Sequence, residues 1–190
     1  MLTQWHKQSP DCEPVAHELR AAFPRRWVRF HSLPEAKRYP ENAAEYAEVL
    51  HRNNTILGEL LGPPTPVVLL LTEYSWSPEP VSLQPDLGEL VPGARPWRSI
   101  PMHEVDDAFS VSTFWHLYSS VWEWYPGLFD PIVRLAADAI VSNALVVSQN
   151  CRWALHPYDG GMDVIAESPP AMLRLKSSYR DWLSRREDGL

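Results

Sequence analysis

Five consecutive apolar residues, Val67–Leu71, constrain the fold of this chain more than any other segment. A strand with one face in water alternates apolar and polar residues, whereas an unbroken apolar run of this length is typical of a strand covered on both faces. The run therefore predicts a central strand. Before it, Gly62 followed by Pro63 and Pro64 predicts the end of a helix, because neither residue type favours its continuation.

Further elements are predicted on both sides of this run. Asn42 with Glu45 three residues later matches a helix capping box, and the apolar residues that follow recur at helical spacing. The other predicted elements are, in chain order, a helix at 15–23, a strand at 26–31, an aromatic strand or bent hairpin at 112–125, a helix from Asp130 that Asn143 can close, strands at 145–147 and 151–155, a return strand at 162–165 and a helix from Ser168.

This order favours an α/β (α+β) fold, a three-layer sandwich with a mixed or antiparallel sheet flanked by helices, in a single domain spanning residues 1–190. Cys12 and Cys151 predict free thiols, because two distant cysteines form neither a disulfide framework nor a zinc site. No secretory signal is found near Met1, and no run approaches the roughly 18 apolar residues of a membrane helix. We therefore expect a cytoplasmic protein.

The net charge of −7 is concentrated in one part of the chain. Residues 61–130 carry two arginines against nine acidic side chains, whereas the segments on either side are balanced. An acidic surface repels the phosphates of nucleic acids and attracts basic proteins. The pattern predicts a basic protein partner and no binding to nucleic acid or membrane. The alternative is a solvated surface that only keeps the protein soluble.

Six prolines lie between residues 75 and 112 and predict a long, acidic, Pro-rich loop region, interrupted at most by a short edge strand near 97–100. Tryptophans anchor many interfaces, and acids around them select the partner. The predicted partner-binding residues are Glu104, Asp106, Asp107, Trp97, Trp115, Trp122 and Trp124. This prediction requires that they share one outward-facing patch. The alternative is that the indoles belong to the ordinary core.

The segment between residues 156 and 163 is an alternative pocket. Its polar members are His156, Tyr158, Asp159 and Asp163, placed around two glycines. A histidine beside a carboxylate could act as a general base or contribute to a metal site. The favoured interpretation is a tight β-hairpin turn, in which the glycines allow the backbone to reverse and the polar groups support it.

The sequence contains no nucleophile motif, no Gly-rich phosphate loop and no strong metal-ligand spacing, so no catalytic residue, metal or cofactor is predicted. The favoured function is a non-enzymatic protein-binding module of the immunity or antitoxin type, which occludes a basic partner such as a toxin. Two alternatives stay open. One is a small enzyme or ligand-binding domain that uses the 156–163 turn, and the other is a self-associating structural subunit whose aromatic strand forms a homodimer.

Several segments together match the pattern of a known family. They are Arg26–Phe30, the helix from Glu45 to Arg52, the strand Val67–Leu71, and above all Tyr158–Ala166 followed by Leu173, Tyr179 and Asp181-Trp182-Leu183. In these segments the chain resembles the bacterial domain of unknown function family 3885. The resemblance implies a bacterial, intracellular, small α/β protein, and it implies no activity because none is established for that family. The acidic middle contributes nothing to the resemblance.

Overall fold

The structure, a computed structural model, describes residues 2–61 and 66–186. The helices in this part are α1 (Leu2–Gln8), α2 (Ala16–Ala22), α3 (Ala43–Leu60), α4 (Pro85–Leu90), α5 (Asp130–Ala137) and α6 (Pro169–Ser178). The strands are β1 (Trp27–His31), β2 (Pro66–Ser75), β3 (Arg95–Pro101), β4 (Phe114–Glu123), β5 (Leu145–Ser148), β6 (Ala154–Tyr158) and β7 (Gly161–Ile165). The helix end predicted at Gly62, Pro63 and Pro64 lies outside the described residues.

These strands form one sheet in the order β1-β7-β6-β5-β2-β4-β3, and every neighbouring pair is antiparallel. β2 lies between β5 and β4, and its residues Val67–Leu71 are all buried, as the apolar run predicts. Helices cover both faces of the sheet. The α+β fold with an antiparallel sheet is confirmed.

One face of the sheet packs against α3, α5 and α6. Phe30 of β1 and Leu69 of β2 form a core there with Ile56 and Leu57 of α3 and with Leu175 of α6. Because successive side chains of a strand point to opposite faces, the residues next to Phe30 and Leu69 face the other layer. Every second side chain along a strand therefore faces the layer of α3.

The opposite face is covered by α1 and α2. Trp5 of α1 and Leu19 of α2 pack there with Val68 and Leu70 of β2. The Trp5 indole N–H donates a hydrogen bond of 2.7 Å to the carbonyl of Cys12, which ties α1 to the segment before α2. The sequence does not predict α1, because a single buried aromatic in a short helix gives no periodic pattern.

The Pro-rich middle contains more regular structure than a continuous loop. β3 is the predicted edge strand, and α4 forms just before it. Pro85 lies in the first turn of α4, where its missing N–H removes no helical hydrogen bond. Pro96 and Pro101 lie in β3, which is an edge strand and pairs with β4 alone among the described strands. The prolines thus limit the length of these elements and select their positions.

Two helix starts agree with the sequence. The Asn42 side-chain oxygen accepts hydrogen bonds of 3.1 Å from the backbone N–H groups of Ala44 and Glu45. The Glu45 carboxylate accepts from the N–H of Glu41 at 2.7 Å, one residue before the position that a capping box predicts. The Ser168 hydroxyl accepts from a backbone N–H in the first turn of α6. Both caps satisfy donors that have no partner within their helix.

Two predictions near the middle of the sheet are corrected. α5 ends at Ala137, and Asn143 does not close it. Asn143 is buried and joins the layers instead: its Oδ1 accepts from the N–H of Ala16 at 2.8 Å, and its Nδ2 donates to Thr72 Oγ1 at 2.7 Å. The strand predicted at 151–155 begins only at Ala154. No helix within the described ranges is both long and apolar enough to cross a membrane.

Candidate functional site

The four predicted tryptophans lie on opposite faces of the sheet. Trp97 and Trp115 pack against the core beneath α1 and α2. Trp122 and Trp124 pack against the core beneath α3 and α5. Trp115 and Trp122 are an odd number of residues apart in β4, and strand side chains alternate between faces. The expectation that all four share one outward patch therefore does not hold.

Two exposed aromatic side chains that were not among the predicted site residues extend the face of Trp115. Tyr74 lies near the end of β2 with 44% of its surface exposed, and Trp76 follows the strand with 69% exposed. Their rings meet edge to face, with centroids 5.0 Å apart. Tyr74 is the direct cross-strand partner of Trp115. Tyr74, Trp76 and Trp115 thus lie next to one another at this end of the sheet.

Trp115 connects these aromatic residues to α2 and to the loop after β3. His17 of α2 and Phe109 of the loop both meet the Trp115 ring edge to face, with centroids 6.0 and 6.1 Å away. The His17 Nε2 lies 3.4 Å from a carboxylate oxygen of Glu18 and 3.9 Å from one of Asp106. The loop is therefore in contact with both α2 and β4.

The loop after β3 carries the three predicted acids. Met102 is fully buried at the start of the loop, and its N–H donates a hydrogen bond of 2.9 Å to the carbonyl of Thr113, which closes the loop. The carbonyl of Met102 accepts from the N–H of Asp106, also at 2.9 Å. Glu104 and Asp107 are exposed on the outside of the loop, and Asp106 is partly exposed. The fold therefore holds these carboxylates on an ordered turn.

The acidic aromatic surface consists of Tyr74, Trp76, Trp115, Glu104, Asp106 and Asp107. Arg98 on β3 does not neutralise it, because Arg98 forms an ion pair with Glu13. This end of the sheet thus combines exposed aromatic rings with carboxylates. Among the described residues, no arginine or lysine forms an ion pair with these carboxylates. Such a surface can bury indole and phenol rings against a partner while its charge attracts a cationic one.

A buried histidine supports this surface from below. The Nε2 of His116 lies 2.8 Å from Ser75 Oγ, and its Nδ1 lies 2.8 Å from Ser99 Oγ, so one imidazole links β2, β4 and β3. The Ser75 hydroxyl also donates to the carbonyl of Ser77 at 3.0 Å. His116 Nε2 must then donate to Ser75, and Nδ1 accepts from Ser99. This arrangement uses the neutral ring, and burial lowers the pKa of His116.

We expect the protein to lose stability as the pH falls below about 6.5. Burial lowers the pKa of His31, His116 and His156 from the ordinary value of 6.5, so the unfolded chain binds protons that the folded chain does not. Each histidine then reduces the free energy of unfolding by up to about 1.4 kcal/mol per pH unit. Urea unfolding at about pH 7.5 and about pH 5.5 measures this, and equal free energies at both values contradict it.

The residues of the alternative pocket lie in the hairpin of β6 and β7, where His156 and Asp163 are cross-strand partners. Arg29 of β1 donates two hydrogen bonds to the Asp163 carboxylate, at 2.7 and 2.8 Å. The Arg29 guanidinium also lies 5.0 Å from the ring centre of Tyr158, whose ring stacks on His156 at 5.6 Å. Burial lowers the pKa of His156 and raises the pKa of Tyr158, so both are neutral at neutral pH.

Asp159 and Gly160 form the predicted tight turn. Tyr158 pairs with Gly161 directly across it, and Gly160 has a φ of 98°, which a residue with a side chain rarely adopts. The Asp159 carboxylate accepts a hydrogen bond of 2.6 Å from Arg38. Arginines thus occupy both carboxylates of the hairpin, and this geometry favours the turn interpretation. In the part of the chain that the structure describes, no group of three or more His, Cys, Asp or Glu side chains could hold a metal ion.

Comparison with known proteins gives one match. A family model described as a domain of unknown function (DUF3885) matches residues 15–187. No curated protein and no solved structure matches the chain. The matched range includes the whole sheet, the helices α2 to α6 and the acidic middle. The chain therefore belongs to the domain of unknown function family 3885.

Proposed function

We propose that this protein is a non-enzymatic protein-binding module of the immunity or antitoxin type, which occludes a basic protein partner with its acidic aromatic surface. The observation that supports this best is the exposed edge-to-face pair of Tyr74 and Trp76 beside Trp115 and the acids of the loop. Large exposed aromatic side chains are costly in water, and they are the residues that contribute most to interfaces.

The geometry changes the predicted set of binding residues. Trp122 and Trp124 are omitted because they pack against the core on the α3 side. Trp97 supports the surface from the core on the α2 side rather than forming its outer part. The proposed binding residues are Glu104, Asp106, Asp107, Trp115, Tyr74 and Trp76.

The charge of the surface determines the class of partner. The entire net charge of −7 comes from residues 61–130. This part of the chain also carries all six proposed side chains, which lie in β2, just after it, in the loop after β3 and in β4. Carboxylates on a surface accelerate association with a basic partner, and salt weakens this effect because the Debye length is only about 8 Å at physiological ionic strength. The proposal includes a bacterial, cytoplasmic location, where an immunity protein or antitoxin protects its own cell.

The structure gives less support to a homodimer through the aromatic strand. β4 is paired with β2 on one side and with β3 on the other, so it has no free edge for a second copy. Two copies that met through the acidic aromatic surface would also bring like charges together, which is unfavourable. The enzyme alternative receives no support from the hairpin, because its carboxylates are engaged by Arg29 and Arg38.

The contribution of the exposed indole can be measured with the purified product of the gene adjacent to this one. We expect Trp76→Ala to weaken its binding about 30-fold or more, because the exposed ring becomes buried in the complex. Leu173→Ala is the matched control, since Leu173 on α6 is also 60% exposed and lies away from the surface. Isothermal titration calorimetry compares the three proteins. Equal affinities for the two variants, or no binding to the wild type, count against the proposal.

A further inference from the structure

Three turns meet at the other end of the strands from the acidic aromatic surface. They are the turn at 23–26 between α2 and β1, the turn at 149–153 between β5 and β6, and the segment at 166–168 between β7 and α6. The carbonyl of Arg26 accepts a hydrogen bond of 2.9 Å from the N–H of Ala166, and Arg26 Nη1 donates to the carbonyl of Arg152 at 3.2 Å. Arg26 therefore joins all three turns.

A surface cavity of about 350 Å³ opens at this junction. Its lining residues are Ala22, Phe23, Pro24, Arg25, Arg26 and Pro169. The floor is apolar, and the polar groups of the lining side chains are the two guanidiniums. The Arg26 guanidinium lies 4.5 Å from the centre of the Phe23 ring, so its position is set by a packed aromatic side chain as well as by the Arg152 carbonyl.

The positive charge at this cavity is not balanced by the described residues. Arg152 forms an ion pair of 2.7 Å with Glu167, but within residues 2–61 and 66–186 no carboxylate forms an ion pair with Arg25 or Arg26. Burial and, to a smaller extent, the nearby charge of Arg152 lower the pKa of Arg26, so an anion beside it would stabilise its charged form. Two guanidiniums that form no ion pair with a carboxylate of the described residues thus line one cavity.

We propose that this cavity binds a small phosphomonoester, with Arg25 and Arg26 holding the phosphate and the apolar floor holding the organic part. A dianionic phosphate matches two guanidiniums, whereas a carboxylate supplies only one negative charge. Guanidinium groups form paired hydrogen bonds with phosphate oxygens, which favours this oxyanion further. The site is independent of the proposed partner surface, because Val67 at the start of β2 pairs with Ser148 at this end, while Tyr74 and Trp76 lie at the other.

The test is a titration of the full chain with phenyl phosphate at constant ionic strength. The amide chemical shifts in NMR spectra report the binding. Saturable shifts are expected at Phe23, Arg25, Arg26 and Ala171. Arg25→Gln and Arg26→Gln should each weaken binding at least about tenfold. Arg95→Gln is the control: it changes the net charge equally, lies exposed on β3 at the far edge of the sheet, and should leave the affinity within about twofold.

The Arg25→Gln variant is expected to fold normally, because the Arg25 side chain is exposed and the hydrogen bond that joins the turns is made by Arg26. Benzoate, which has the same ring and a single negative charge, is expected to bind about tenfold more weakly than phenyl phosphate. Equal affinities of wild type and Arg25→Gln, or shifts that do not saturate, overturn the proposal. Binding to vesicles that contain phosphatidic acid without saturable binding of phenyl phosphate also overturns it, because the ligand is then a membrane surface.

Discussion

Replacing Arg29 by leucine is expected to lower the free energy of unfolding by about 3–5 kcal/mol. Arg29 makes two hydrogen bonds to Asp163, whose side chain is only 8% exposed. Without the guanidinium, a carboxylate remains in the sheet with no cation beside it, and the cost of removing that charge from water is no longer offset. Arg29 also lies against the rings of Trp27 and Tyr158, and this packing is lost too.

Unfolding in urea of the single and double variants separates the buried charge from the lost packing. Arg29→Leu with Asp163→Leu removes both charges and should be more stable than Arg29→Leu alone, because no carboxylate is left unpaired. Arg180→Leu is the control, since its ion pair with Asp181 is almost fully exposed and contributes little. If the double variant loses as much free energy of unfolding as the two single variants lose together, Arg29 does not offset the buried charge of Asp163.

Reversing the three loop acids, as Glu104→Lys, Asp106→Lys and Asp107→Lys together, is expected to weaken binding to the adjacent gene's product by at least about 100-fold. The change places three cations where a basic partner would dock, so attraction becomes repulsion. At low salt, most of the loss of affinity should come from a slower association rate. Surface plasmon resonance at two ionic strengths measures both the affinity and the rate.

A control with the same change in net charge is available in the same acidic segment. Asp86→Lys, Glu89→Lys and Glu123→Lys reverse exposed acids on α4 and at the end of β4, away from the loop after β3. This triple variant is expected to change the affinity by less than about threefold at physiological salt, because distant charges are screened. If the two triple variants lose binding equally, net charge rather than a defined surface determines the interaction.

The parts of the fold that depend on local chemistry could be predicted from the sequence. The run Val67–Leu71, the cap at Asn42 and the cap at Ser168 each follow from residues that are close in the chain. The pairing of β1 with β7 could not be predicted, because Arg29 and Asp163 are 134 residues apart and neither segment shows which strand it will join. The role of Asn143 was missed for the same reason: its partners lie on α2 and β2.

The candidate site could be predicted only in part. The exposure of Glu104 and Asp107 follows from their charge, since unpaired carboxylates are rarely buried. Alternation along β4 separates Trp115 from Trp122, but it does not show which face each helix covers. Tyr74 and Trp76 were missed because β2 continues four residues beyond its apolar run, to Ser75. The polar residues Thr72, Glu73 and Ser75, which follow the apolar run, were the available signal for a half-exposed end of this strand.

No pattern in the sequence predicted the cavity lined by Arg25, Arg26 and Pro169. Arg25 and Arg26 are adjacent in the chain, but the cavity also needs Pro169, and the unbalanced charge depends on the pairing of Arg152 with Glu167. Such a site exists only when three turns have been brought to one end of the sheet.

Hydrogen–deuterium exchange of this protein with and without the adjacent gene's product tests the proposed surface most directly. We expect slower exchange in residues 74–77 and 103–109 of the complex, and unchanged exchange in α4 and in the turn at 149–153. Protection confined to α4, to the β6–β7 hairpin or to that turn, with residues 74–77 and 103–109 unchanged, would contradict the account.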